Sequence, residues 1–152
     1  MRSTAVHVLS LLALTASACA PTYVLEAPAA FKRFEHTRGM ELITADGVML
    51  EVREEPNYPR AELPFWRDAL KGHLDARGYA LKSERCFSTT RGLPGCTLDF
   101  VVPRGAEDWV MSETVFVDGD TVYLVEVAGP FERYAQVETA LTQAMTTFAP
   151  RP

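Results

Sequence analysis

The segment MELITADGVMLEVRE, residues 40–54, decides the reading of the whole chain. Two stretches suited to extended structure, Met40–Ala45 and Val48–Glu54, flank Asp46-Gly47. Asp-Gly is a strong hairpin signal because a two-residue turn needs positive φ, which glycine adopts without a steric cost. In the second stretch Val48, Leu50 and Val52 share one face, opposite Met49, Glu51 and Arg53. Side chains alternate along a strand, so one face of this hairpin is built for burial.

Working outward, Pro56 and Pro59 mark a loop, and a helix follows. Pro64 suits its first turn and Gly78 supplies a left-handed stop. Phe65, Trp66, Ala69, Leu70 and Leu74 recur at helical spacing and define its expected buried stripe, with His73 at the edge. Tyr79–Phe87 and Cys96–Val102 read as a strand pair around Arg91-Gly92-Leu93-Pro94-Gly95. Trp109–Val117 and Thr121–Ala128 form another around Asp118-Gly119-Asp120. Gly129-Pro130 opens the last helix, where Phe131, Tyr134, Val137, Leu141, Met145 and Phe148 repeat every three or four residues. Its other face carries Glu132, Arg133, Gln136, Glu138 and Gln143. The order is ββαββββα. An antiparallel sheet of about six strands, covered by two amphipathic helices, is the α+β class this order predicts.

That layout, over residues 38–149, resembles the PsbP/DcrB-like α/β/α sandwich superfamily. The resemblance rests on the Asp46-Gly47 hairpin before the first helix and on the second amphipathic helix at the terminus. It implies an exported lipoprotein or an accessory protein of a membrane complex, mostly without catalytic activity. Metal ligands of the superfamily's members find no residue-by-residue match here, and no cofactor is implied.

The first residues predict an address. Met1-Arg2-Ser3 precedes a short apolar run through Leu9, Leu11, Leu12 and Leu14, which ends in Ala16-Ser17-Ala18-Cys19. A basic start, an apolar core and small residues at the exit make a secretory signal over residues 1–18. Ala16-Ser17-Ala18 fits ordinary signal peptidase, and Ala-Ser-Ala-Cys resembles the lipobox of bacterial lipoproteins, departing from it at Ala16. Lipidation of Cys19 is the reading we adopt. Acyl chains contribute ~0.8 kcal/mol per buried methylene, and more than one makes an anchor durable. Ala20, rather than Asp, then implies the outer membrane, facing the periplasm. Residues 19–37, with Pro21 and Pro28, read as a lipidated N-terminus and tether, which Phe31 and Phe34 could dock onto the domain; residues 38–152 read as that one domain.

Cysteine usage agrees with export. Lipidating Cys19 leaves Cys86 and Cys96, and an oxidising compartment favours their pairing. One mismatch stands against it: Cys86 shares parity with Lys82 and Glu84, not with Tyr79 and Leu81. A bulge or an early strand end is required.

The charge narrows the partners. Loss of residues 1–18 removes only Arg2, so the formal charge moves from −5 to −6. Nothing in the scattered basic residues forms a nucleic-acid footprint. A membrane contact through the N-terminal lipid and an envelope protein partner are the expected associations. Catalytic motifs do not appear: there is no G-x-S-x-G turn and no phosphate-cradling loop. The clustered carboxylates Glu54-Glu55, Glu107-Asp108 and Asp118-Gly119-Asp120 keep an envelope hydrolase open as an alternative. A carrier of a small apolar ligand between helix and sheet is another. Tyr58 and Trp109 are the aromatic residues best placed for exposure, whereas Phe65 and Trp66 are expected in the core. Mass spectrometry of the mature N-terminus should find Cys19 first in the chain and carrying acyl mass; an unmodified thiol there would remove the anchor.

Overall fold

The computed structural model describes residues 21–34 and 40–151. Nine strands and two helices run in the order β1 (Tyr23–Val24), β2 (Lys32–Arg33), β3 (Met40–Ile43), β4 (Met49–Pro56), α1 (Leu63–Asp75), β5 (Ala80–Ser88), β6 (Pro94–Arg104), β7 (Glu107–Asp118), β8 (Thr121–Pro130), α2 (Phe131–Met145) and β9 (Ala149–Pro150). Seven strands form one antiparallel sheet in the order β2-β3-β4-β8-β7-β6-β5, and β1 pairs separately with β9. The class and the order of the principal elements agree with the sequence reading. Gly47, at φ 84°, sits in the β3–β4 turn where the Asp-Gly signal placed it.

Alternation along the strands sends two sets of side chains to opposite faces. Leu50 and Val52 on β4, Val125 and Val127 on β8, and Val110 and Phe116 on β7 pack with Tyr134, Leu141, Ala144 and Met145 of α2. On the other face Leu98 and Phe100 of β6 pack with Leu70 and Leu74 of α1. Cys96, Val115 and Val122 meet Leu63 and Trp66 there. The result is a three-layer α/β/α arrangement in which the helices cover different parts of the sheet.

Phe148, just beyond α2, anchors the larger core. Its ring stacks on Phe116 at 4.2 Å between centroids and on Tyr23 at 5.8 Å, while Tyr123 meets it edge-on at 5.2 Å. Stacked and edge-to-face aromatic pairs add roughly 0.5–1.5 kcal/mol each beyond their buried area. Gly95 is required opposite: a Cβ there would lie 2.4 Å from the Phe116 ring.

Three local expectations change. Much of the supposed tether, residues 19–37, is folded: Tyr23, Leu25 and Phe31 are buried in the core, and two short strands form on either side of them. Prolines discouraged regular structure here, but aromatic burial and pairing with β9 hold the segment down. The stripe of α1 is Leu63, Trp66, Leu70 and Leu74, not Phe65 and Ala69. Adjacent helical residues diverge by about 100°, so a stripe through Trp66 turns Phe65 outward, where it is 49 % exposed. Finally, the register of β5 on β6 shifts between Leu81 and Ser83. That bulge brings Leu81 and Cys86 to the same face and sets Cys86 directly opposite Cys96, to which it is disulfide-bonded. Cys19 lies outside the described residues.

Removing the central ring tests the aromatic anchor. Phe148→Ala should cost about 3–5 kcal/mol, read from denaturant unfolding, because a fully buried ring leaves a cavity that neighbouring rings cannot fill. A loss below ~1 kcal/mol would show that the stack is not central.

Candidate binding groove on the open half of the sheet

Helix α1 lies over β5, β6, β7 and the start of β8, and among the described residues no helix covers β3, β4 and the Glu126 half of β8 on that face. Antiparallel register places an unusual set of side chains there. Glu41 on β3 is paired with Glu51 on β4, Glu51 with Glu126 on β8, and Glu126 with Glu113 on β7. Strands lie about 4.8 Å apart, so four carboxylates form a row across roughly 14 Å. Like charges directly opposite one another in a sheet are destabilising. The row continues through Leu98 to Glu84 on the edge strand β5, where Lys71 and Arg67 of α1 neutralise the carboxylate at 3.0 and 3.4 Å.

The middle of the row is relieved differently. Arg53 reaches Glu126 at 3.2 Å and Glu113 at 3.6 Å. Glu113 is only 1 % exposed and its carboxyl hydrogen-bonds that of Glu126, while the Nε of Arg53 is buried without a hydrogen-bond partner. Burial first, and then the neighbouring carboxylate of Glu126, push the Glu113 carboxyl up to about 8, against the pull of Arg53. Glu113 therefore keeps its proton at neutral pH, and the ion pair of Arg53 is with Glu126. Glu41 and Glu51 have no ion-pair partner among the described residues.

Beside the row is a groove of about 230 Å³, lined by Phe34, Ile43, Met49 and Ala128 together with Glu41, Glu51 and Glu126. Phe34 is 57 % and Met49 45 % exposed. These are apolar walls with a carboxylate edge on an otherwise well-packed domain. No metal-ligating cluster of three or more His, Cys, Asp or Glu occurs among the described residues.

The opposite face is polar in one place as well, but there the groups are satisfied. Buried Asp99 accepts hydrogen bonds from Ser83 and Ser112 at 2.5 and 2.6 Å, from Arg85 at 3.3 Å and from Tyr134 at 3.4 Å. Thr97 and Thr114 bond to each other at 2.7 Å. Burial and then the charge of Asp99 raise the Tyr134 phenol. This network ties α2 to the sheet; the space beside it is only about 20 Å³. A small apolar ligand has no room at that helix–sheet contact.

Residues singled out in the sequence are dispersed. Glu54 and Glu55 end β4, and Glu107 and Asp108 begin β7, all exposed. Asp118 and Asp120 flank the exposed β7–β8 turn, where Asp120 pairs with Arg60 at 2.8 Å. None of these enters the acidic row. Tyr58 is 86 % exposed, and Trp109 is half-buried beneath the Arg104 guanidinium at 4.3 Å. Trp66 packs inward and donates its Nε1 proton to Asn57 Oδ1 at 2.7 Å. His73 is exposed on α1. The row itself escaped sequence reading because its members are single glutamates on four strands. A signal was present: Glu113 interrupts Met111, Val115 and Val117, and Glu126 interrupts Val122, Leu124 and Ala128.

No family model and no curated protein matches the chain. Solved structures do. LpqN of Mycobacterium tuberculosis, described as involved in cell envelope biogenesis, superposes with a TM-score of 0.65 at 10 % identity, over 88 % of this chain and 85 % of its own. The Ran-binding protein Mog1p of Saccharomyces cerevisiae gives 0.57 at 10 % identity, over 85 % and 90 %. The cyanobacterial PsbP protein CyanoP of Synechocystis gives 0.54 at 11 % identity, over 85 % and 86 %. The fold is PsbP-like. At these identities the likeness extends to architecture alone, and the chemistry of the groove belongs to this chain's own residues.

The buried proton predicts a pH dependence of stability. Unfolded, Glu113 releases its proton near 4.5; folded, it holds it to about 8. Over that window the folded state binds the extra proton, so stability falls as pH rises and levels off above it. Glu113→Gln should therefore melt roughly 5–10 °C above the wild type at pH 9 and converge with it near pH 4. Parallel melting curves across this range would show that Glu113 is not buried as an acid.

Proposed function

We propose that the protein is a non-catalytic accessory domain of the cell envelope, held to the membrane by lipid on Cys19, which binds a protein partner through the open half of its sheet. The groove of Phe34, Ile43 and Met49 beside Glu41, Glu51 and Glu126 carries this reading. Its aromatic and thioether side chains are exposed, Phe34 by 57 % and Met49 by 45 %. Large rigid rings and adaptable methionines are characteristic of interaction surfaces. LpqN, with the same fold, is described as involved in cell envelope biogenesis, and Mog1p as Ran-binding. The description of Mog1p supports a binding role for this architecture, and that of LpqN supports the compartment. No helix among the described residues is long and apolar enough to cross a membrane. Three residues lie between Cys19 and Tyr23, the first buried core residue, so the four steps reach at most ~14 Å. The lipid would thus hold the domain close against the bilayer, on the periplasmic side of the outer membrane.

One observation favours a second reading, hydrolysis. The Glu113 carboxyl, raised well above its usual range, stands beside that of Glu126, as an acid beside a base would. Glu113, however, is buried within the sheet and does not line the groove. A general acid must reach the atom it protonates. We therefore assign the pair to the groove's electrostatics and not to catalysis.

Site-specific photo-crosslinking in native envelopes tests the proposal. A photoreactive residue replacing Met49 should give a discrete protein adduct that the same residue at Gln143, exposed on α2, does not. Identical products from both positions, or none from Met49, would refute the groove as the interaction surface.

A further inference from the structure

We infer that the groove receives a basic segment of the protein partner, an extended stretch in which Lys or Arg stands next to apolar side chains. The inference rests on the binding role proposed above and adds the chemistry of what is bound. Charge carries it first. Glu41, Glu51 and Glu126 edge the groove, and Arg53 offsets only Glu126 among them. At the row's inner end the protonated Glu113 lies beside Glu126 and adds no charge, so the unoffset carboxylates are those at the groove itself. Aligned carboxylates cost stability in the isolated domain, and a cation arriving between Glu51 and Glu126 would remove part of that cost.

The walls specify the rest of the occupant. Phe34, Ile43 and Met49 offer an apolar lining against which the methylene stem of Lys or Arg can lie while its head reaches a carboxylate. A cation held near an aromatic face gains about 0.5–1 kcal/mol at an exposed site. About 230 Å³ is room for a few side chains and not for a docked domain. Other occupants fit poorly. A second copy would bring the same acidic face, on a chain of net charge −5, against itself. Anionic lipid headgroups would meet the carboxylates and be repelled.

An NMR titration of the full mature chain in neutral detergent decides the matter. The probe is a synthetic decapeptide with two lysines flanking Leu-Val, set against the same peptide with acetylated lysines and against the simple diamine cadaverine. Amide shifts should gather at Ile43, Met49, Glu51, Glu126 and Ala128, and affinity should fall at least tenfold in the Glu51→Gln/Glu126→Gln variant. Glu51→Gln alone removes a like-charge contact and no ion pair, so its melting temperature should match or exceed the wild type while its affinity still falls. Met49→Lys, at an exposed position, puts a cation in the groove and should abolish binding independently. The inference fails if the acetylated peptide binds as well as the lysine form, if the shifts gather elsewhere, or if no variant weakens binding. Equal affinity for cadaverine also overturns it, because a free amine would then suffice. An adduct at Met49 together with failure of the lysine peptide leaves the groove as an interface and removes only its basic occupant.

Discussion

The antiparallel register of β4, β8 and β7 is the constraint on which the rest depends. Pairing Leu50 with Val127 and Val52 with Val125 builds the apolar floor beneath α2. Because the side-chain period of a strand is two, the same register must align Glu51 with Glu126 and Glu126 with Glu113 on the reverse face. Core and acidic row are two consequences of one pairing. A slip by one residue would bury the glutamates under α2 and expose the valines, so hydrophobic burial enforces the register and the row follows.

What the fold does with that row differs along its length. At the β5 edge, α1 supplies Lys71 and Arg67 to Glu84, while at the centre the sheet buries Glu113 as an acid and gives Arg53 to Glu126. Beyond β8 no helix arrives among the described residues, and the remaining carboxylates lie beside an apolar groove. Contrast with Asp99 sharpens the point. That carboxylate is also buried, but four donors surround it, and it serves as a structural tie between α2 and the sheet. Buried polar groups with partners hold a fold together.

Much of the architecture was legible because strong local signals agreed. Asp46-Gly47, Pro64, Gly78 and Gly129-Pro130 punctuate the chain where elements begin or end, and the stripe from Tyr134 to Phe148 has only one sensible buried face. Weaker signals misled where long-range packing overrode local preference. Pro21 and Pro28 speak for a tether, but Tyr23 and Phe31 gain more by entering the core. Parity alone spoke against the Cys86–Cys96 bond, and the bulge after Leu81 restored it.

From the order of residues alone came the α+β class, the hairpins, the amphipathic helices and the expectation of export through residues 1–18 with lipid on Cys19. Those depend on local periodicity, turn chemistry and short motifs, all of which are properties of neighbours in the chain. The groove came only from the folded molecule. Glu41, Glu51, Glu113 and Glu126 are separated by as many as 85 positions, and each is an ordinary glutamate in its own strand. Hydrogen-bonded register is what turns four isolated charges into one row, and that register is set by which hydrophobic faces meet across the whole sheet.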